Sequence, residues 1–266
     1  MRLISKKLLK NIVIKLTMTT QVMAQQNKIQ ILSKGFSLFL HNFWKNLPFS
    51  FLLGVLGFIF PMIIDISNPL MIFSYRSSYE MFFYCLLYFA GWLTLSASLV
   101  FSLYCSFYHI QSHILHSLYQ AITKLVPLLL LGALYALMIF GGTMLMIVPG
   151  IFLSISLMFA FILTTVENTN ILQTLLVSHR LVWGNWWHTF LLITFPIFIY
   201  LIISLLTFVI FSKLAFAYGI EDSRLFLITL VFNIVIQVIF IPLIFSIAIA
   251  VLDDLRQRYT PQESLI

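Results

Sequence analysis

Long apolar runs alternate with short polar ones along most of the chain. The clearest run is Leu125–Val166, 42 residues without an Asp, Glu, Lys, Arg or His. As one helix it would be roughly 63 Å long at 1.5 Å per residue, about twice the thickness of a bilayer core. It is therefore expected to cross a membrane twice and to turn at Pro149-Gly150, the strongest breaker inside it. The same pattern predicts six spans in all, near Leu47–Ile64, Met81–Phe107, Leu125–Val148, Ile151–Val166, Thr189–Ser212 and Leu225–Leu252.

Each span expected to leave the cytoplasm follows an amphipathic stretch. The first carries Ile29, Leu32, Phe36, Leu40 and Phe43, the second Ile110, Ile114, Leu118 and Ile122, the third Leu172, Leu175, Val182 and Trp186. Apolar residues at these spacings share one helix face, as suits a helix lying in the membrane interface. The joins also match: Lys45-Asn46-Leu47-Pro48 parallels Lys124-Leu125-Val126-Pro127, and Phe43-Trp44-Lys45 parallels Trp186-Trp187-His188. The chain thus reads either as three copies of an interfacial helix followed by a hairpin, or as an ordinary six-span protein with short loops.

Composition strengthens the membrane reading. The 266 residues are 61% hydrophobic and 9% charged, with mean hydropathy +1.05. Soluble domains carry about 25% charged residues, and a globule this apolar would lack the polar residues to cover its surface. The 27 Phe, 11 Tyr and 5 Trp suit aromatic belts at the two interfaces.

The basic residues orient the spans. Eight precede the first span (Arg2, Lys6, Lys7, Lys10, Lys15, Lys28, Lys34, Lys45), and Lys124, Arg180, Arg256 and Arg258 fall on the same side. Arg76, Lys213 and Arg224 fall on the other. Both termini are therefore expected in the cytoplasm, and the net charge of +7 marks that face against anionic lipid rather than a nucleic-acid partner. The expected organisation is a basic N-terminal extension (1–28), a six-span membrane domain (29–258) and a C-terminal tail (259–266). The extension reads as a basic amphipathic helix resting on the membrane through Ile4, Leu8, Ile12 and Leu16, a start at Met18 or Met23 being the alternative.

Candidate chemistry is sparse. All eight acids fall at span ends, in loops or in the tail, whereas ion-coupled transporters and intramembrane aspartyl proteases hold carboxylates inside the bilayer. The chain has no HExxH, GxSxG, P-loop or GxGxxG motif, and no cofactor or enzymatic activity is expected. Cys85 and Cys105, twenty residues apart on one expected helix, are too distant to pair. His109, His113 and His116 have metal-ligand spacing, but read as the polar face of an interfacial helix without an acidic or Cys partner. Thr94, Ser98, Ser102 and Ser106 form an i+4 ladder suited to helix packing.

Two groups remain as candidate sites. Asn233 and Gln237 form an amide pair midway along the sixth span, suited to interhelical hydrogen bonding or to a polar lining for an amphiphile. Glu167, Arg180, Trp183, Trp186 and Trp187 gather in a polar and aromatic connection, a candidate lipid-headgroup or interface site in which Arg180 is the expected partner of Glu167.

The sequence Val148-Pro149-Gly150-Ile151, an apolar span, Glu167-Asn168, and then Ser178-His179-Arg180-Leu181-Val182-Trp183-Gly184-Asn185-Trp186-Trp187 resembles the bacterial YciC-like inner-membrane proteins. It is also similar to the membrane domain of some glycerophosphodiester phosphodiesterases. The resemblance spans about Ile29 to Arg258 and implies a six-span helical protein of a bacterial inner membrane, with no catalytic residues to carry over. The expected fold is an all-α, polytopic six-span transmembrane bundle with amphipathic interfacial helices on the cytoplasmic side. The expected role is non-enzymatic envelope or membrane organisation with lipid binding. The alternatives are a carrier of a lipid or amphiphile and a membrane anchor for an enzyme, with membrane lipids and a membrane-protein partner as expected partners.

Overall fold

The computed structural model describes residues 28–64, 78–167, 170–218 and 222–263, all helices and short turns. In chain order the helices are α1 (Lys28–Ile64), α2 (Ser78–Phe107), α3 (Ile114–Thr123), α4 (Leu125–Leu145), α5 (Ile147–Leu157), α6 (Phe159–Val166), α7 (Ile171–Val182), α8 (Trp186–Tyr218) and α9 (Asp222–Glu263). The basic extension before Lys28, the loop residue Arg76 and the last three residues of the tail lie outside the described residues.

Among the described residues, five stretches are long and apolar enough to cross a membrane: Phe82–Phe107, Leu125–Leu145, Ile147–Val166, Trp186–Leu214 and Ile228–Tyr259. The chain is a multi-pass helical membrane protein. The first expected span is helical to Ile64 as the end of α1, with its side chains described only as far as Gly57.

Several expectations are corrected. The hairpin turns at Met146, whose backbone is extended (φ −165°, ψ 156°), and not at Pro149-Gly150. Pro149 sits instead in the first turn of α5, where its missing N–H has no intrahelical partner to lose. Gly150 serves close approach: a Cβ there would lie 2.2 Å from the Thr143 side chain on α4. The returning arm bends at Met158, whose N–H reaches Ile155, three residues back, in a 3₁₀-like turn. The first amphipathic stretch is not a separate interfacial helix. It is continuous with the first span through Pro48, and the 37 residues of α1 make roughly 55 Å of helix. The other two stretches do form separate short helices, α3 and α7.

The helices pack unevenly along their length. The main core joins Leu38, Phe49 and Leu53 of α1, Leu99 and Leu103 of α2, Phe159 and Leu163 of α6, Val182 of α7, Ile193 of α8, and Ile249, Leu252 and Leu255 of α9. These residues cluster toward one end of the bundle. Toward the other end Leu137, Phe140, Leu145, Leu201, Leu205, Phe208, Val231 and Phe232 stand exposed, which suits a hydrocarbon solvent. Only 17% of the α4 window and 11% of the α8 window is buried, against 44% for α2 and α9, so α4 and α8 are peripheral.

The most extensive helix pairing is α1 with α9, the first and last of the bundle. Glycines set the approach. A Cβ on Gly35 would lie 2.8 Å from the Ile247 backbone, and one on Gly54 would lie 3.2 Å from Ile234. Small residues let helices close without a side chain between them, which supplies van der Waals contact where no water remains to be expelled.

Candidate functional site at the charged end of the bundle

The apolar run of α9 ends at Leu252, yet the helix continues through Asp253, Asp254, Arg256 and Arg258. Helical spacing pairs these residues along α9: Arg258 Nε donates to Asp254 Oδ2 at 2.7 Å, and Gln257 Nε2 donates to Asp253 Oδ2 at 2.8 Å. Each carboxylate is also held by a residue from elsewhere in the chain.

On one side, Asp254 is buried with 2% of its side chain exposed, and its Oδ2 lies 3.2 Å from Nε2 of His188, near the start of α8. Arg258 reaches the same ring nitrogen at 3.4 Å. A buried carboxylate needs hydrogen-bonded countercharge; Arg258 supplies the charge, and His188 adds a hydrogen-bonding partner from a second helix.

On the other side, the Tyr108 hydroxyl donates to Asp253 at 3.1 Å, and Arg256 pairs with Glu167 and donates to the Tyr104 hydroxyl at 3.3 Å. Burial, reinforced by the Asp253 charge, pushes the Tyr108 phenol well above its ordinary range. Lys124 Nζ donates to the carbonyls of Thr164 and Glu167 at 3.2 and 2.9 Å. It thereby satisfies the open C-terminal end of α6, and its partial burial lowers its pKa against the raising effect of Glu167.

The expected headgroup cluster is therefore divided. Glu167 pairs with Arg256 rather than Arg180, because α6 ends against α9. Arg180 stands exposed on α7. Gly184, with φ +88°, makes the left-handed corner between α7 and α8 that a side chain would resist. Around that corner the tryptophans separate. Trp186 stacks between Phe152 and Phe190, at ring distances of 5.5 and 5.2 Å, and its indole donates to the Phe152 carbonyl at 3.4 Å. Trp183 meets Phe152 edge-on but remains 63% exposed, and Trp187 is 71% exposed. Arg180, Trp183, Asn185, His179, Arg258 and Tyr259 line a cleft of about 480 Å³ between α7 and the end of α9.

The other candidates do not form shared sites. Asn233 donates to the Thr229 carbonyl of its own helix at 2.9 Å, while the Gln237 amide lies against Gly57 of α1. The three histidines do not share a helix face, because α2 ends at Phe107 and His109 sits in a turn with φ +57°. His116 packs edge-on to Phe101 instead. Among the described residues no group of three or more His, Cys, Asp or Glu is arranged to hold a metal. In the hydroxyl ladder, Thr94 and Ser98 bond back to Ala90 and Thr94 carbonyls, while Ser106 accepts from Lys45.

Sequence reasoning missed the pairing of Asp254 with His188 and of Arg256 with Glu167. The available clue was a helix expected to end at Leu252 followed at once by four charged residues with i, i+4 complementarity. Compared with protein-family models, with curated proteins and with solved structures, the chain matches none.

Proposed function

We propose that this chain is a non-enzymatic integral protein of a bacterial inner membrane, with both termini cytoplasmic, that organises the bilayer by holding lipid headgroups at its charged end. Membership of the YciC-like family is part of that proposal. The observation that carries it is the cleft between α7 and the end of α9, where exposed Arg180 and Trp183 stand over half-buried Asn185. An arginine offers paired donors to a phosphodiester, and a tryptophan at the same depth anchors at the interface. The acids nearby support a binding role rather than chemistry, since Glu167 and Asp254 are already engaged by Arg256, Arg258 and His188. The amide pair gives a carrier no polar track, because Asn233 bonds to its own helix and Gln237 lies against α1.

Lipid analysis of the full chain extracted with its surrounding bilayer tests the reading. An anionic lipid enriched over the parent membrane, and reduced by Arg180→Gln, is the expected result. Bulk composition around both proteins would overturn it.

A further inference from the structure

A second polar groove lies at the charged end, between α1 and the turn that follows α2. Its volume is about 780 Å³, and its polar lining includes Lys34, His41, Lys45, Ser106 and His109, with no carboxylate among the lining residues. Lys45 is fixed in it: Nζ lies 3.2 Å from the Ser112 hydroxyl and 3.4 Å from the Ser106 hydroxyl. An ammonium has three donors, so one remains for a further oxygen. Lys34 and His41, on the same helix, are exposed.

The groove has a defined depth. Ser106 is the penultimate residue of the apolar span Phe82–Phe107, so the Lys45 ammonium sits where that hydrocarbon-crossing segment ends. Along the same helix α1 turns a second stripe outward: Phe36, Leu40 and Trp44 are 50%, 57% and 80% exposed at i, i+4 and i+8, with Trp44 beside Lys45 and Phe36 roughly 14 Å further along the axis. One helix thus presents an apolar row beside a basic row at the edge of a span. Cations at that edge lie at the phosphate level, where they attract anionic lipid.

We propose that the groove between α1 and the end of α2 holds the phosphate of an anionic phospholipid, with Lys45 as its fixed cation and Lys34 and His41 as flanking donors. The inference rests on the headgroup-binding reading above but assigns a different site. The serines orient Lys45 without neutralising it, whereas Arg256 and Arg258 are engaged by carboxylates. A neutral hydroxyl partner leaves the positive charge available to an incoming anion.

Native mass spectrometry of the detergent-solubilised full chain, titrated with phosphatidylglycerol and phosphatidylcholine of matched acyl chains, tests it. The wild type is expected to bind phosphatidylglycerol about tenfold more tightly, and Lys45→Gln to lose most of that preference, a change equivalent to about 1.4 kcal/mol. Lys45→Arg retains the preference, and exposed Lys34→Gln lowers it by less. Lys213→Gln, which removes the same charge from the opposite end of α8, leaves it unchanged.

Circular dichroism and a monodisperse elution profile verify folding of each variant. An intact preference in folded Lys45→Gln and Lys34→Gln overturns the groove while leaving headgroup binding elsewhere standing. Equal losses in Lys45→Gln and Lys213→Gln overturn it in favour of diffuse charge. Displacement of phosphatidylglycerol by millimolar inorganic phosphate, abolished by Lys45→Gln, overturns the lipid in favour of a free anion. A wild type without preference overturns both this site and the function proposed above.

Discussion

Glu167, where α6 ends, is paired with Arg256 of α9, 89 positions further along the chain. The bond ties the returning arm of the central hairpin to the last helix, and Arg256 extends the tie to Tyr104 on α2. Both charged side chains remain partly in solvent, 36% for Glu167 and 29% for Arg256. Exposed pairs contribute only about 0.2–1 kcal/mol, so this one is a weak clasp. A double-mutant cycle with Glu167→Gln and Arg256→Gln, read by thermal denaturation in detergent, is expected to give a coupling of about 1 kcal/mol or less, but above zero. Strict additivity would show that the two groups do not interact.

The pairing of Asp254 is of another kind. Its side chain is 2% exposed and is held by both Arg258 and His188. Removing one member of a buried ionic group leaves the others with uncompensated charge, at a cost of about 3–5 kcal/mol. Asp254→Ala is therefore expected to lower the melting temperature by about 10 °C, given roughly 2–4 °C per kcal/mol for a chain of this size. Asp254→Asn retains an acceptor and is expected to lose less. A melting temperature for Asp254→Ala within a degree of wild type would contradict the buried geometry.

The hairpin offers a matched pair of glycines. A Cβ on Gly150 would stand 2.2 Å from Thr143 Cγ2 and 3.1 Å from the Thr143 backbone nitrogen, so α4 and α5 would have to separate. A Cβ on Gly141, in α4, would meet nothing within 4 Å. Gly150→Ala is expected to destabilise by about 1–3 kcal/mol through overpacking. Gly141→Ala is expected to be neutral or to stabilise by up to about 1 kcal/mol through helix propensity. Thermal denaturation of the two variants side by side reads the difference, and equal shifts would show that α4 and α5 do not cross at Gly150.

The apolar runs disclosed the membrane-crossing helices because burial in lipid demands long uncharged stretches, and that demand is written residue by residue. The turn at Met146 was not legible. In a helix whose whole surface is apolar, Pro149-Gly150 is the only visible break, yet proline fits a first turn and Gly150 was required for packing. The continuity of α1 was hidden for a related reason, since Pro48 reads as a boundary but stays inside the helix. The sites depended on partners distant in the chain. Arg180 was the natural local match for Glu167, and only the packing of α6 on α9 brings Arg256 closer. Lys45 looked like one more topology-setting charge until Ser106 and Ser112 were seen to hold it.

The proposed orientation makes a prediction about the two ends of α4. Thr123, at the end of α3, is exposed near Lys124, and Met146, at the hairpin turn, is 70% exposed. The intervening 21 residues of α4 span roughly 31 Å, about one hydrocarbon thickness, so the two positions must lie on opposite faces. Basic residues gather on the Thr123 side, which assigns that face to the cytoplasm. In a background carrying Cys85→Ala and Cys105→Ala, Met146→Cys is expected to react with an impermeant maleimide in intact spheroplasts. Thr123→Cys is expected to react only after permeabilisation. The reverse pattern would invert the protein and move both basic clefts to the outer face. Labelling of both positions from one side would remove the span between them.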